Sequence, residues 1–510
     1  MNIIGIATLS RIKRIEKSRQ MNKKTALTVL GSLLLVGCSV TPEALTEQQI
    51  IDRATWQFDY IEKKRQTNVE SQISLVDAIS IALRNNFELE SVRLQHAIKN
   101  TEQDQVAYYL LPQSNLSYNH TIRNNDGGEE FDFSPPEKDR KTISGGVSWS
   151  AFDLGSAYLE AKRTGNAVLI SEEYKRRVAS RIVRETISAY ILVASMKESL
   201  EEVSIVKAEV VAKLEEANSL VDSQLLDPIE LLTYQEQLLT LLSDISLLEE
   251  EYLKAKQQLA IKINAQILDV NVLGNQKGLE LALPSLEIHS LEKMALLQRA
   301  ELREADYQIR NSEIEVKKTW LSAIPNIEIG ASYQFDDEPS LANSEWVQLN
   351  IGIVSQVLNL ISLPSRLELQ KQKVEFERLN SILKASAVLG EVREAYLSHQ
   401  AEKQRLSLYN QRAMMTKHID EIKQSRLAYG PLDELDQFRS KVNVLTLEVQ
   451  QRKVQTDYQT KQLQLVEKLG FDLFPSYFPL NDPTNQQEVV TQWLDQLPVA
   501  IAQLNNTPFH

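Results

Sequence analysis

The sequence predicts a mainly α-helical chain with a transmembrane β-barrel portion, built from two copies of a helix, strand, strand, helix, helix unit. Three observations lead there. The chain repeats itself once at an offset near 213 residues, its helical patterns run for up to about 70 residues, and four segments alternate apolar and polar side chains over about 9 to 11 residues.

Composition sets the frame. The 510 residues hold only 16 Gly and 15 Pro, well below average usage, a deficit that long unbroken helices explain. Helical runs such as Leu231 to Leu268 are about half apolar, so each helix buries a stripe and not its whole circumference, as a coiled-coil wall requires. One Cys excludes an internal disulfide. The histidines, His96, His120, His289, His399, His418 and His510, never recur at the three- or four-residue spacing of a zinc helix, so no metal and no other cofactor is expected. The formal charge of −13 disfavours nucleic acid as a partner.

At the N-terminus, residues 1–37 carry seven Lys/Arg and one acid, which leaves the rest of the chain still more acidic. The apolar run Ala26 to Val36 suits a signal-peptide core and is too short to span a bilayer. Met21-Asn22-Lys23-Lys24 is a second basic start, and translation from it would leave a signal of conventional length. Leu35-Val36-Gly37-Cys38 resembles a bacterial lipobox, which implies an N-terminal lipid on Cys38; Ser39, in place of Asp, favours the outer membrane over the inner. Acyl chains there would each contribute about 0.8 kcal/mol per buried CH₂.

The repeat organises the remainder. Ala82-Leu83-Arg84-Asn85-Asn86-Phe87-Glu88-Leu89 matches Ala295-Leu296-Leu297-Gln298-Arg299-Ala300-Glu301-Leu302, and the same offset carries Pro112 onto Pro325. In the first copy a helical pattern runs from about 75 to 110, and strands follow at about 113–123 and 142–152. In the second, Ile327, Ile329, Ala331, Tyr333 and Phe335 alternate with Asn326, Glu328, Gly330, Ser332 and Gln334, and Val347, Leu349, Ile351 and Ile353 with Gln348, Asn350 and Gly352, giving strands at about 326–336 and 346–357. A long helix from about 155 to 224 would extend roughly 100 Å. The shorter helices, about 75–110 and 229–264, stack to the same length, so they lie antiparallel to it and turn at distant tips near Asp227-Pro228 and Gly430-Pro431. Four strands cannot close a transmembrane barrel, and open edges are not tolerated in lipid, so the chain must oligomerise.

In order and spacing, the repeat openings, the helix-ending Pro112 and Pro325, the segment Trp149-Ser150-Ala151-Phe152-Asp153-Leu154-Gly155 and the tip Gly430-Pro431-Leu432-Asp433-Glu434-Leu435-Asp436 resemble the TolC-like outer-membrane efflux channel family. The resemblance covers about Leu75 to Leu469. It implies a homotrimer in which each chain gives four strands to a single twelve-stranded barrel continued by a periplasmic helical tunnel. It further implies no catalytic residues, a periplasmic adaptor protein and an inner-membrane transporter of RND, ABC or MFS type as partners, and contact with outer-membrane lipid.

The same resemblance places a periplasmic gate at the tip, with Asp433 and Asp436 as acidic ring candidates, Glu230 in the equivalent place of the first copy, and Tyr429 and Arg426 as closing contacts. Leu226, Asp227, Pro228, Gly430 and Pro431 are the expected adaptor-docking residues. An ungapped alignment instead keeps only Asp436 and puts Arg439 at the second acidic position, and acids that open a helix also have a purely dipolar explanation. The expected divisions are a signal peptide (1–37), a lipidated linker (38–72), a first repeat (73–270, tip about 224–229), an inter-repeat equatorial segment (271–287), a second repeat (288–469, tip about 427–432) and an equatorial tail (470–510). A periplasmic adaptor would carry one hairpin and Gly-rich β-domains, and a structural coiled coil would lack the strand pairs. No nucleophile elbow, phosphate loop or zinc motif points to an enzyme.

Overall fold

The computed structural model describes residues 44–65, 72–124, 139–220, 228–266, 270–273, 287–338, 341–355, 357–425, 431–475, 478–479 and 482–502. Two compact units are present, residues 1–63 and 64–510. The first contains most of α1 (Glu47–Arg65), none of whose residues is buried. In the second, each repeat supplies two short helices, two strands, one very long helix and one of intermediate length. The first copy comprises α2 (Leu75–Asn85), α3 (Phe87–Tyr108), β1 (Gln113–Ile122), β2 (Asp139–Ser150), α4 (Ala151–Leu220) and α5 (Pro228–Ile263). The second comprises α6 (Ile288–Gln298), α7 (Ala300–Leu321), β3 (Asn326–Asp336), β4 (Glu345–Val354), α8 (Val357–Ser425) and α9 (Pro431–Lys468), and α10 (Pro483–Ala502) follows.

The long helices have 70 and 69 residues, about 105 Å each. Beside α4 lie α2, α3 and α5, and beside α8 lie α6, α7 and α9, while α4 also packs on α7 and α9, so the two copies form one continuous wall. The seams repeat every seven residues. On α4, Ile182, Ala189, Met196, Val203, Val210 and Ala217 are all buried; on α5 the buried positions are Leu231, Leu238, Ile245 and Leu259, with Leu241, Leu248 and Ala255 between them. This heptad spacing keeps one apolar line facing its neighbour as the helices supercoil.

The helical pattern expected over 75–110 is interrupted in the structure. α2 ends and α3 begins at Asn86, whose side-chain oxygen accepts hydrogen bonds from the backbone N–H groups of Glu88 and Leu89 at 3.0 and 3.1 Å. An Asn in extended conformation offers the backbone this alternative to continued helix. The second copy breaks at the equivalent Arg299, and both pairs of short helices have 11 and 22 residues. β2 and β4 also end earlier than the sequence pattern suggests, because Ala151 and Val357 already begin helices.

At mid-height the breaks, the segment around residues 270–273 and α10 pack together. Ile73 and Val272 form a parallel bridge, and the buried Tyr190 hydroxyl donates toward the carbonyls of Ile73 and Leu273 at 3.1 and 3.2 Å. Burial, and then the nearby Asp77 charge, push its phenol up to about 12, so it stays a donor. Ser74 and Asp77 form a capping box at the start of α2, and Gln487 of α10 donates to Asp77 at 2.7 Å.

α9 stops at Gly470, which adopts φ +93°, a left-handed helix terminus that glycine tolerates. A Cβ there would lie 2.7 Å from the carbonyl carbon of Gln298 and 2.9 Å from the Arg299 nitrogen, both backbone atoms that cannot turn away. Gly470→Ala should destabilise the protein by at least about 2 kcal/mol through strain and overlap, seen as a lowered thermal midpoint in circular dichroism; an unchanged midpoint would show that the helix break relaxes freely.

The α8–α9 seam contains a polar interruption. Buried His399 stacks on Tyr458 with centroids 5.2 Å apart, and neither ring nitrogen has a hydrogen-bond partner among the described residues. Burial, helped by Lys403, holds the His399 pKa below its ordinary value. Burial, and then Glu402, push the Asp457 carboxyl above the usual carboxylate range. The folded state thus holds an Asp457 proton more tightly than the unfolded chain, so its ionisation weakens the fold as pH rises through the elevated value. Asp457→Asn should raise the thermal midpoint at pH 7 and give a smaller gain at pH 4; equal gains at both would exclude this cause.

Candidate channel wall and tunnel tip

The four strands form one antiparallel sheet in the order β1-β2-β3-β4. The register puts Val147 beside Ala331 and Ala331 beside Leu349, and Trp149 beside Ile329 and Ile329 beside Ile351. Every second residue therefore joins one apolar face that also carries Tyr118, Ile143, Tyr333 and Phe335. The opposite face carries Asn115, Ser148, Ser332, Gln348 and Asn350, with glycine at 146 and 330. The polar strip is tightly built, for a Cβ on Gly146 would stand 2.9 Å from Ser332 Cβ. β1 and β4 have no further strand partner among the described residues, and on β4 Val347, Leu349, Ile351 and Ile353 are 69–77% exposed. A one-sided apolar sheet this open has its apolar side facing either lipid or another protein. No described helix is long and apolar enough to cross a membrane.

The sheet is joined stiffly to the helices. Ser150 donates to Asn326 Oδ1 at 2.8 Å, and the same oxygen accepts from the Phe152 N–H at 3.0 Å, so the first residue of β3 caps the start of α4. Below this joint Lys318 pairs with Glu160 at 3.0 Å and Arg303 with Glu173 at 2.6 Å, tying α7 to α4.

At the equator a ladder of arginines on α4 binds four other segments. Arg176 pairs with Asp472, Arg177 with Glu301 at 3.3 Å, Arg181 with Glu88, and Arg184 with Glu467. Arg299, 5% exposed, donates to the Lys468 carbonyl at 3.2 Å and pairs with Glu301 and Glu391 at 2.8 and 2.7 Å. It therefore caps the end of α9 from the same break that Asn86 caps locally in the first copy. Burial opposes the ionisation of Glu301 and Glu391, yet Arg299 at both, with Lys468 at Glu391, holds these carboxyls below the usual carboxylate range. The signal in the sequence was the charge-dense run Glu172-Glu173-Tyr174-Lys175-Arg176-Arg177, which helical propensity alone presents as a solvated face.

At the far ends of the hairpins, Pro228 and Pro431 occupy first helical positions, where a missing N–H leaves no bond unmade. Glu230 is exposed in the first turn of α5, and Asp433 and Asp436 lie in the first two turns of α9. Glu230 thus lies at the end of α5 that is joined to the long helix α4. Leu226, Asp227, Arg426, Tyr429, Gly430 and the lipidation candidate Cys38 lie outside the described residues. No metal-binding group of His, Cys, Asp and Glu occurs among the described residues.

No family model matches the chain, and no curated protein sequence does. Solved structures do match. The Campylobacter jejuni CmeC outer membrane channel aligns at 15% identity over 91% of this chain and 95% of its own, with a TM-score of 0.63. The Vibrio cholerae outer membrane protein VceC aligns at 14% identity over 78% and 96%, with a TM-score of 0.60. The open-state Neisseria gonorrhoeae MtrE outer membrane channel gives 14% identity over 78% and 89%, with a TM-score of 0.56. Agreement over nearly the full length of each of these proteins at such low identity is agreement of fold. The chain therefore has the fold of the TolC-like outer-membrane channels, the family its sequence resembles.

Proposed function

We propose that this chain is the outer-membrane channel-tunnel of a tripartite efflux or type I secretion system, conducting to the exterior what an inner-membrane transporter and a periplasmic adaptor deliver. The observation that carries this reading is the two-faced sheet with open edges, mounted on helices about 100 Å long. In lipid each unpaired backbone group costs several kcal/mol, so β1 and β4 must pair with sister chains. Three copies supply enough strands for a closed barrel whose apolar face meets lipid and whose polar face lines water.

The helical wall makes the same demand. Leu369, Phe376, Leu379 and Ile382 on α8, and Leu232 and Leu239 on α5, are exposed in the single chain. A ring of sister subunits would cover them. The lumen acts by being wide, wet and weakly binding, so a range of solutes passes without capture. Cys38 carries the N-terminal lipid in this reading, and the tip around Pro228 and Pro431 receives the adaptor. Asp433 and Asp436, with Glu230, present acidic rings there.

Outer membranes extracted without heating should yield a species of three chains on a denaturing gel that collapses to one chain on boiling; a monomer in the soluble fraction would refute the assignment. Replacing Asp433 and Asp436 together with Ala should abolish divalent-cation block of single-channel current, whereas unchanged block removes both from the gate.

A further inference from the structure

We propose that Trp346 forms an aromatic collar inside the channel that engages flat aromatic cations in transit, an inference that rests on the channel reading above. The register places Ser117, Ser144, Gln334 and Trp346 in a single row across the sheet. Ser117 and Ser144 are in side-chain hydrogen-bonding contact at 2.6 Å, and the whole row belongs to the polar face. Among the described strand residues, Trp346 is the one aromatic side chain on that face. Tyr118, Trp149, Tyr333 and Phe335 all lie on the apolar face, where an aromatic belt beside lipid accounts for them. Trp346 has no such account. Its row-mates and the residues that follow on its strand, Gln348 and Asn350, are small or polar, and it remains 39% exposed.

A large apolar ring held open on a wet wall recovers little of its burial energy, whereas its π-face can take a stacked or cationic guest. The charges nearby favour a cation. On the same face one step further along β3 is Asp336, 5% exposed, whose partner Arg140 it shares with Glu338, 8% exposed, at 4.0 Å, so two carboxylates share one guanidinium. Three chains around an axis place three indoles at one height. Each contact is weak enough to release its guest, so the collar selects without blocking export.

The test uses the purified full-length chain in planar bilayers, with tetraphenylphosphonium as the aromatic cation and tetrabutylammonium as a ringless cation of equal charge. Trp346→Ala should raise the half-blocking concentration of tetraphenylphosphonium about tenfold and leave that of tetrabutylammonium unchanged, and Trp346→Phe should retain most of the aromatic block. Equal tetraphenylphosphonium block in wild type and Trp346→Ala, or an equal loss for both cations, would overturn the collar. Absence of steady unitary currents from the wild-type chain would overturn the channel reading itself, a separate failure.

Discussion

Backbone hydrogen bonding at the two ends of a four-strand sheet is the constraint on which the rest depends. Inside a chain, β1 to β4 satisfy one another along a ladder of three strand pairs. Nothing in the described chain satisfies the outer rows of β1 and β4. In water such edges are a hazard of aggregation, and in hydrocarbon they are prohibitive. The sheet's apolar side is too exposed to be half of a private core, and the proposed closure with sister chains would resolve both difficulties in a single structure. The sheet gains all its meaning from what it lacks alone.

The helices must then deliver that sheet at a fixed height and angle. Heptad seams between α4 and α5 and between α8 and α9 are directional but uniform along their length, and a uniform seam can slide by a heptad. Three features break the uniformity. The breaks at Asn86, capped by its own side chain, and at Arg299, whose side chain instead reaches the end of α9, fix where the short helices begin. The arginine ladder of α4 fixes which turn of that helix faces Glu88, Glu301, Glu467 and Asp472. The polar interruption at His399, Glu402 and Asp457 marks one level of the α8–α9 seam, where an apolar neighbour set would accept other registers. A buried polar side chain such as His399 lowers stability, and in coiled-coil seams a single polar core residue can specify register.

Function in such a molecule lies in the surface left over after packing. The polar strand face carries small side chains, which in the proposed channel would leave the lumen wide. Such a face needs no catalytic constellation, and in the proposed channel the residues that act on solutes would be ordinary in type and unusual only in position.

Much of this was legible in the sequence. The duplicated unit and the period-two strands follow from side-chain periodicity, which a linear chain displays directly, and Pro112, Pro325, Pro228 and Pro431 punctuate it because proline cannot donate within a helix; the seven-residue seams emerged only from burial. Trp346 was not placed on a face from the sequence; the register puts it on the polar face and shows no other aromatic there among the described strand residues. The breaks at Asn86 and Arg299 were hidden, since apolar periodicity continues through them, and what marks them is a local Asn cap in one copy and a long-range Arg contact to the end of α9 in the other. The partners of Arg176, Arg181 and Arg299 were hidden as well. Those contacts join residues as many as 296 positions apart, and the identity of a distant partner depends on how helices cross, which local pattern does not encode. The sequence alone thus determined which segments are helix or strand and which side of each is apolar; only the tertiary structure decided how the columns align, because alignment is set by long-range charge pairs and caps between elements.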